Sequence, residues 1–386
     1  MNRPEAPSSE RPGAVRRSFR AVASGIDRVF GLVTVIAGLA VLSSMPLLSF
    51  LSLGYLLEVS GRVAESGRFR DGFVGLRKAS AVGNLVVGVF LVLLPVRFVA
   101  GMWHDAELIE SGGRVAANWR AGAIVVTGLA FLHILWACAR GGRLRHFLWP
   151  APLRLVKSAV RRFRGGRSDS EAGVPDRVMA YLAGLRLPHY FVLGFMGFVG
   201  AVIWLIVPCG VLILASQIPQ PAVAALTNLF GAALLTVAVL YLPFIQAELG
   251  RTGKFGSLFQ VGVVRGKFRR APIAFWFALL ITLAFALPLY ILKVQAIPRD
   301  LTWVLALVFV VLIFPARLLT GWSMGRGLRR ESPRHWTVRW LSRLAAIPVA
   351  GAYVLFVWLT QYVSWDGSAG VLQQHAFMVP APLFGL

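Results

Sequence analysis

Two glutamates lie where long apolar stretches give way to basic segments, and their spacing to nearby arginines suggests chemistry. Glu58 precedes Arg62 by four residues, and Glu248 precedes Arg251 by three. Each spacing puts both side chains on one helical face, which predicts an ion pair. The two carboxylates are also the nearest approach to a paired acid–base site. A lipid-modifying enzyme with Glu58, Arg62 and Glu248 at the inner membrane boundary is therefore one alternative.

Three ionisable side chains fall inside apolar stretches. Arg97 follows a proline toward the outer end of its stretch, and Arg317 follows a proline toward the inner end of another. A cation at the bilayer centre costs about 2.5–3.5 kcal/mol, so both arginines are functional candidates. The favoured interpretation is that their long stems reach an interface, and the alternative is that they line a permease path. His133 lies deeper, where one hydrogen bond between helices satisfies it.

The signatures of common active sites are missing from the sequence. It contains no P-loop, no HExxH, no GxSxG and no CxxC motif, and its six histidines are scattered. Cys138 and Cys209 both fall in apolar stretches and lack the spacing of a metal site. The sequence therefore predicts a non-enzymatic protein without catalytic residues, metal or cofactor.

A basic amphipathic segment at residues 151–164 is the strongest candidate for contact with lipid headgroups. Its pattern is typical of a helix that lies along a membrane surface. Each cation gains about 1 kcal/mol near anionic headgroups. The alternative is that the segment only enforces topology and contacts no particular lipid. The cations on its polar face are Arg154, Lys157, Arg161, Arg162 and Arg164.

Composition indicates that a bilayer surrounds most of the chain. Of the 386 residues, 57% are hydrophobic and only 15% are charged, whereas soluble domains carry about 25% charge. The formal net charge of +24 would suggest nucleic acid in a soluble protein. Here the cations lie between apolar stretches, where retention on the cytoplasmic side during insertion explains them. We therefore expect membrane lipids as partners and no nucleic acid.

Apolar runs of about 20 residues predict an all-α integral membrane protein with seven transmembrane helices. Residues 29–57 are too long for one crossing, and Ser43, Ser44 and Pro46 interrupt them. This region is predicted to be a bent hairpin, either re-entrant or made of two short spans. The seven predicted helices cover residues 80–102, 121–139, 190–214, 223–246, 273–293, 301–319 and 344–364.

Charge asymmetry predicts the orientation. If residues 29–57 enter and leave on one side, nearly all of the 40 lysines and arginines fall on the cytoplasmic face. The N-terminus is then cytoplasmic and the C-terminus external, in the inner (cytoplasmic) membrane. The predicted organisation is a disordered basic tail (1–28), a first membrane half (29–183), a second membrane half (184–365) and an external tail (366–386).

Glycine patterns carry two further predictions. The motif Gly-Arg-Phe at Gly67 recurs as Gly-Lys-Phe at Gly253, each followed by a second phenylalanine four residues after the first. This is consistent with a parallel internal repeat and equally with chance recurrence in a biased chain. Small residues at helix spacing predict close helix packing. They are Gly194, Gly197 and Gly200, and the pair Gly321 and Gly325.

Residues 46–79 contain an apolar run, a basic helix and an aromatic–acidic turn, with the characteristic positions Pro46, Leu47, Leu48, Gly54, Tyr55, Leu56, Leu57, Arg62, Phe69 and Asp71. At these positions the segment resembles the opening signature of a bacterial polytopic membrane protein family, domain-of-unknown-function family 4013. The resemblance implies a multi-pass membrane protein and carries no activity to transfer.

The expected function is that of a non-enzymatic multi-pass membrane protein. Its basic cytoplasmic face is expected to engage anionic lipids or a cytosolic protein partner, through residues 151–164. The alternative is a permease for a small anionic or neutral solute that passes Arg97 and Arg317.

Overall fold

The chain is all-α over the residues that the computed structural model describes, which are 14–149, 183–294, 302–362, 367–373 and 375. No strand occurs in these ranges, and 3₁₀ turns cover Phe69–Gly72, Phe255–Phe259 and Gly367–Ala369. The helices are α1 (Ala14–Ser43), α2 (Ser49–Ser66), α3 (Leu76–Ile109), α4 (Arg114–Ala139), α5 (Leu144–Leu148), α6 (Leu187–Ala215), α7 (Pro221–Thr252), α8 (Val261–Arg270), α9 (Pro272–Val294), α10 (Thr302–Arg329), α11 (Trp336–Thr360) and α12 (Gly370–Gln373).

Seven described helices are long and apolar enough to cross a membrane: α1 from Ser24, α3, α4, α6, α7, α10 from Trp303, and α11. Helix α8 and the first part of α9 add an eighth if this pair, bent by 114°, counts as one broken span. The predicted all-α multi-pass membrane fold is confirmed. The set of spanning helices differs from the predicted set in two places. Helix α1 supplies a span, and residues 273–293 count as a span only together with α8.

The predicted interruption of residues 29–57 lies between α1 and α2. The hydroxyl of Ser43 donates to that of Ser52 at 2.8 Å, and the hydroxyl of Ser49 donates to the carbonyl of Pro46 at 2.6 Å. Both arms are longer than predicted. Residues 14–28 are helical, so the prediction of disorder there is wrong; this stretch has no proline and is rich in alanine and arginine, which favour helix. Helix α2 continues past Leu57 because Glu58, Val59, Val63 and Ala64 are buried against the rest of the protein.

The described chain divides into two compact units. The first consists of residues 1–35 and 75–185, and the second of residues 36–74 and 186–386. This division differs from the predicted halves because residues 36–74, and with them α2, pack with the second half of the chain. In the first unit, α3 packs on α4, and α5 contacts both. The predicted hydrogen bond of His133 is present there, since its Nε2 lies 2.7 Å from the Phe147 carbonyl oxygen in α5.

Helix α2 is the centre of the second unit. Residues along its whole length are buried, including Leu56, Leu57 and Val59, which are fully inaccessible. It contacts α6, α7 and α10. These neighbours approach closely because a glycine lies at each crossing, which lets backbones meet without intervening side chains.

The glycine crossings confirm the predicted close packing. A Cβ added to Gly54 would overlap the Tyr190 carbonyl oxygen in α6, and one on Gly61 would overlap the backbone of Gly250 in α7. In the same way, Gly321 of α10 faces the Ser60 backbone. Gly194 and Gly325 occupy equivalent positions, and Gly197 and Gly200 face leucine side chains.

The two copies of the glycine motif adopt the same local structure. Gly67 and Gly253 end α2 and α7 in the left-handed conformation, with φ of 73° and 65°, and each amide donates at 2.8 Å to the carbonyl four residues earlier. The next residue is extended in both copies, and a 3₁₀ turn follows. This agreement supports a repeated helix–turn unit at these two places.

Candidate functional site

The basic segments of the second unit converge at one end, which we call the basic end. The last turns of α2, α7 and α10 meet there, since Gly61 contacts Gly250 and Gly325 contacts the Ala64 carbonyl. The amide of Arg334 donates to the Arg269 carbonyl at 2.9 Å and ties the start of α11 to α8. The connection between α6 and α7 at the opposite end, residues 216–220, contains no charged residue. The cations that gather at the basic end include Arg62, Arg186, Arg251, Lys254, Arg265, Lys267, Arg269, Arg270, Arg326, Arg329, Arg330, Arg334, Arg339 and Arg343.

Glu58 is the first of two carboxylates embedded in this cationic surface. Its side chain pairs with Arg62 at 2.8 Å, as the spacing predicted, and also with Arg186 at 3.7 Å and His189 at 3.2 Å. Burial alone would raise the pKa of Glu58, but the hydrogen bonds and positive charges of Arg62 and His189 outweigh it and lower that pKa. Arg186 has a φ of 54°, an uncommon conformation for a residue with a side chain.

Glu248 is more deeply buried and is held by two cations. Arg251 donates to it at 2.6 Å and 3.1 Å, as the spacing predicted, and Lys267 of α8 donates at 2.5 Å. The side chains of Glu248 and Lys267 are only 2% and 6% exposed. No hydrogen bond joins Glu58 to Glu248 among the described contacts. Because each carboxylate is already bound by cations, it is poorly suited to accept a proton from a substrate.

Sequence reasoning found the local ion-pair partners of both glutamates and missed the distant ones. Arg186 directly precedes α6, His189 lies in its first turn, and Lys267 belongs to α8. One feature of the sequence could have indicated the contacts of Arg186 and His189 with Glu58. Both residues lie at the start of an apolar helix that begins at the same membrane boundary as Glu58. Nothing local in the sequence links Lys267 to Glu248.

The two arginines predicted within spans have different environments. Arg97 of α3 is exposed along its helix. Arg317 of α10 is only 4% exposed, so the prediction that it reaches an interface is wrong. It lies twelve residues before Arg329 at the basic end, about 18 Å along the helix. Packing of α10 against α2, α9 and α7 encloses it.

The predicted permease path has little room at Arg317. The cavity there holds about 20 Å³, enough for about one water molecule. The predicted headgroup-binding residues at 151–164, namely Arg154, Lys157, Arg161, Arg162 and Arg164, lie outside the described residues.

A larger groove of about 410 Å³ opens at the basic end between α7, α9 and α11, beside α8. Phe244 and Phe275 pack with ring centroids 4.6 Å apart at its wall, and Phe268 contacts Phe275 at 5.9 Å. Most of the lining is aromatic or aliphatic, which is typical of sites that accept apolar ligands. Sequence reasoning did not find this groove because its residues come from four separate helices.

Two exposed arginines flank the groove. The Nε of Arg265 donates to the Tyr241 hydroxyl at 2.9 Å. The guanidinium of Arg343 lies over the rings of Phe268 and Trp340, at 5.6 Å and 5.7 Å from their centroids. Neither arginine forms an ion pair with a carboxylate within the described structure. The groove therefore combines an apolar wall with two cations available to an anion.

A buried cluster at the opposite end of the second unit connects the C-terminal segment to α6 and α11. The thiol of Cys209 lies 3.2 Å from Nε2 of His375, and the Tyr353 hydroxyl lies 3.1 Å from Nδ1. All three residues are at most 1% exposed, so no substrate reaches the thiol. The described part of the predicted external tail, residues 367–373 and 375, thus packs against α6 and α11.

The site with the clearest binding geometry is accordingly the groove at the basic end, near the two predicted glutamates and distinct from them.

The resemblance of residues 46–79 to family 4013 stays a prediction, because comparison of the chain with protein-family models, curated proteins and solved structures finds no match.

Proposed function

We propose that this multi-pass membrane protein binds an anionic phospholipid in the groove at its basic end. The phosphate lies between Arg265 and Arg343, and an acyl chain follows the aromatic wall toward Leu240 and Leu279. The observation that carries the proposal is that two exposed arginines, neither of which forms an ion pair with a carboxylate in the described structure, border an apolar groove of about 410 Å³. Cations near anionic headgroups gain about 1 kcal/mol each.

The 114° bend between α8 and α9 supports this arrangement. If α9 crosses the bilayer, α8 runs nearly parallel to its surface. Helix α8 carries Val264 toward the protein and Arg265 and Arg269 toward its exposed side, which is typical of an interfacial helix. It therefore lies at headgroup depth, beside the mouth of the groove.

Replacing both arginines should weaken binding of anionic lipid. In Arg265→Gln/Arg343→Gln, two contacts worth about 1 kcal/mol each are lost, so affinity for phosphatidylglycerol should fall about 30-fold. Affinity for zwitterionic phosphatidylcholine should change little. Native mass spectrometry of the purified full-length protein, titrated with each lipid, measures both affinities.

The matched control is Arg97→Gln/Arg120→Gln, which removes two exposed arginines from the first unit. It lowers the net charge equally and should leave phosphatidylglycerol binding within about twofold of wild type. Equal binding of the two lipids by the wild type would refute the proposal, as would equal losses in the two double variants.

We further infer that the basic end faces the cytoplasm, because cations resist translocation. Single cysteines at exposed positions test this in a chain whose native cysteines are replaced by alanine. Gln217→Cys, in the connection between α6 and α7, should react with a membrane-impermeant maleimide in intact cells. Lys254→Cys, at the basic end, should react only after permeabilisation. The reversed pattern would contradict the inferred orientation.

A further inference from the structure

We propose that the cavity beside Arg317 binds one monatomic anion, chloride. This site is separate from the groove at the basic end and shares no residue with it. The inference therefore stands whether or not the groove binds lipid.

The first argument is an uncompensated buried charge. Arg317 is 4% exposed, and within the described residues its guanidinium has neither an ion-pair partner nor a hydrogen-bond partner. An arginine does not lose its proton in a protein, so the charge persists. A buried cation without a counter-charge is strongly destabilising, which favours an anion as its partner.

No neighbouring carboxylate is available for this role. Helices α2, α7, α9 and α10 pack around Arg317 and contain three acidic residues, Glu58, Glu65 and Glu248. Glu65 is exposed, and Glu58 is already held by Arg62, Arg186 and His189. Glu248 is already held by Arg251 and Lys267. The counter-charge must therefore come from outside these helices.

The second argument is the size and lining of the cavity. Its volume of about 20 Å³ exceeds the roughly 10–15 Å³ that one water requires on a comparable measure. A volume this small excludes phosphate, sulfate and organic anions and leaves a halide as the inorganic anion nearest in size. The polar lining of the cavity consists of Arg317 with Thr282 and Thr320.

The threonine hydroxyls complete the set of donors by rotation. At present Thr282 donates to the Ala278 carbonyl at 2.6 Å, and Thr320 donates to the Arg317 carbonyl at 2.9 Å. A hydroxyl can rotate to donate to an anion instead. The remaining lining is apolar, with Phe285 and Ile313 among it, and weakly screens the attraction between anion and guanidinium.

The small volume and the enclosure of the site exclude a lipid phosphate as the anion. Arg317 is only 4% exposed, and the cavity of about 20 Å³ has no room for a phosphodiester. A water molecule is the competing occupant, since Pro243 lines the cavity and leaves the Val239 carbonyl without its helical donor. Water and chloride differ in one measurable respect, which is the dependence of stability on halide.

The test is the melting temperature of the purified full-length protein in sodium chloride and in sodium gluconate at equal concentration. Chloride at about ten times its dissociation constant should raise the Tm by about 3 °C. Bromide should act like chloride, and sulfate should not. Arg317→Met should lose this halide dependence, whereas Arg97→Gln, which removes an exposed arginine, should retain it.

Crystals grown in sodium bromide supply a second measurement that needs no variant. An anomalous bromide peak within contact distance of the Arg317 guanidinium would support the proposal. Equal melting temperatures in chloride and gluconate, with no such peak, would mean that the cavity holds water only and would overturn it. Should Arg317→Met fail to fold, Thr320→Val takes its place, with a weakened halide dependence expected.

Discussion

Gly54→Leu is expected to prevent α2 from packing in the second unit. A Cβ at this position overlaps the Tyr190 carbonyl oxygen and lies 2.9 Å from the Gly194 amide nitrogen. Both are backbone atoms of α6, so the clash is relieved only if two helices separate. We expect a loss of more than about 3 kcal/mol in the free energy of unfolding, above the usual range for overpacking. The measurements are the yield of monodisperse protein and its Tm.

The matched control is Gly210→Leu, in α6 itself. Apart from neighbouring backbone of α6 itself, no atom lies within 4 Å of a Cβ added to Gly210, so this variant should fold with a Tm near that of the wild type. If Gly54→Leu and Gly210→Leu are equally stable, the close contact between α2 and α6 does not exist.

Glu248→Ala is expected to have the second-largest effect. It leaves the ammonium of Lys267, whose side chain is 6% exposed, buried without its carboxylate. Breaking a buried ion pair on one side costs about 3–5 kcal/mol. The Tm of the variant should therefore fall steeply. Glu331→Ala, which removes an exposed carboxylate nearby, should leave the Tm almost unchanged.

The double variant Glu248→Gln/Lys267→Met separates the charge effect from a general loss of packing. Replacing both partners by neutral groups of similar size is often neutral, so the double variant should be more stable than Glu248→Ala. If the double variant is as unstable as Glu248→Ala, the two side chains stabilise the protein through their packing and not by neutralising each other's charge.

Apolar run length predicted most of the helices because each span must satisfy its backbone hydrogen bonds internally and face lipid with apolar side chains. Helix α2 was underestimated for a related reason. Glu58 and Arg62 look like the end of a span, yet α6, α7 and α10 surround this part of the helix. Whether a charged residue ends a helix or packs inside a bundle depends on neighbours that are distant in sequence.

The candidate sites divide in the same way. The Arg62 and Arg251 ion pairs follow from helix geometry and were predicted from spacing alone. Lys267, Arg265 and Arg343 acquire their roles only when α7, α8 and α11 come together, and no local pattern marks them. The burial of Arg317 was not predicted for the same reason. Arg317 is close enough to the end of its span for the side chain to reach an interface, but packing of the neighbouring helices encloses it.

The central position of α2 has a consequence for biosynthesis. Its neighbours α6, α7 and α10 follow much later in the chain, and α10 ends only at Arg329. At about 5–20 residues per second, roughly 15–50 s separate synthesis of α2 from completion of the last neighbour. During that interval a helix bearing Glu58 and Arg62 lacks at least one of its eventual neighbours, and before α6 is made it lacks all of them. Nascent α2 is therefore the segment that most needs shelter by the insertion machinery, and the one whose early release would leave misassembled protein.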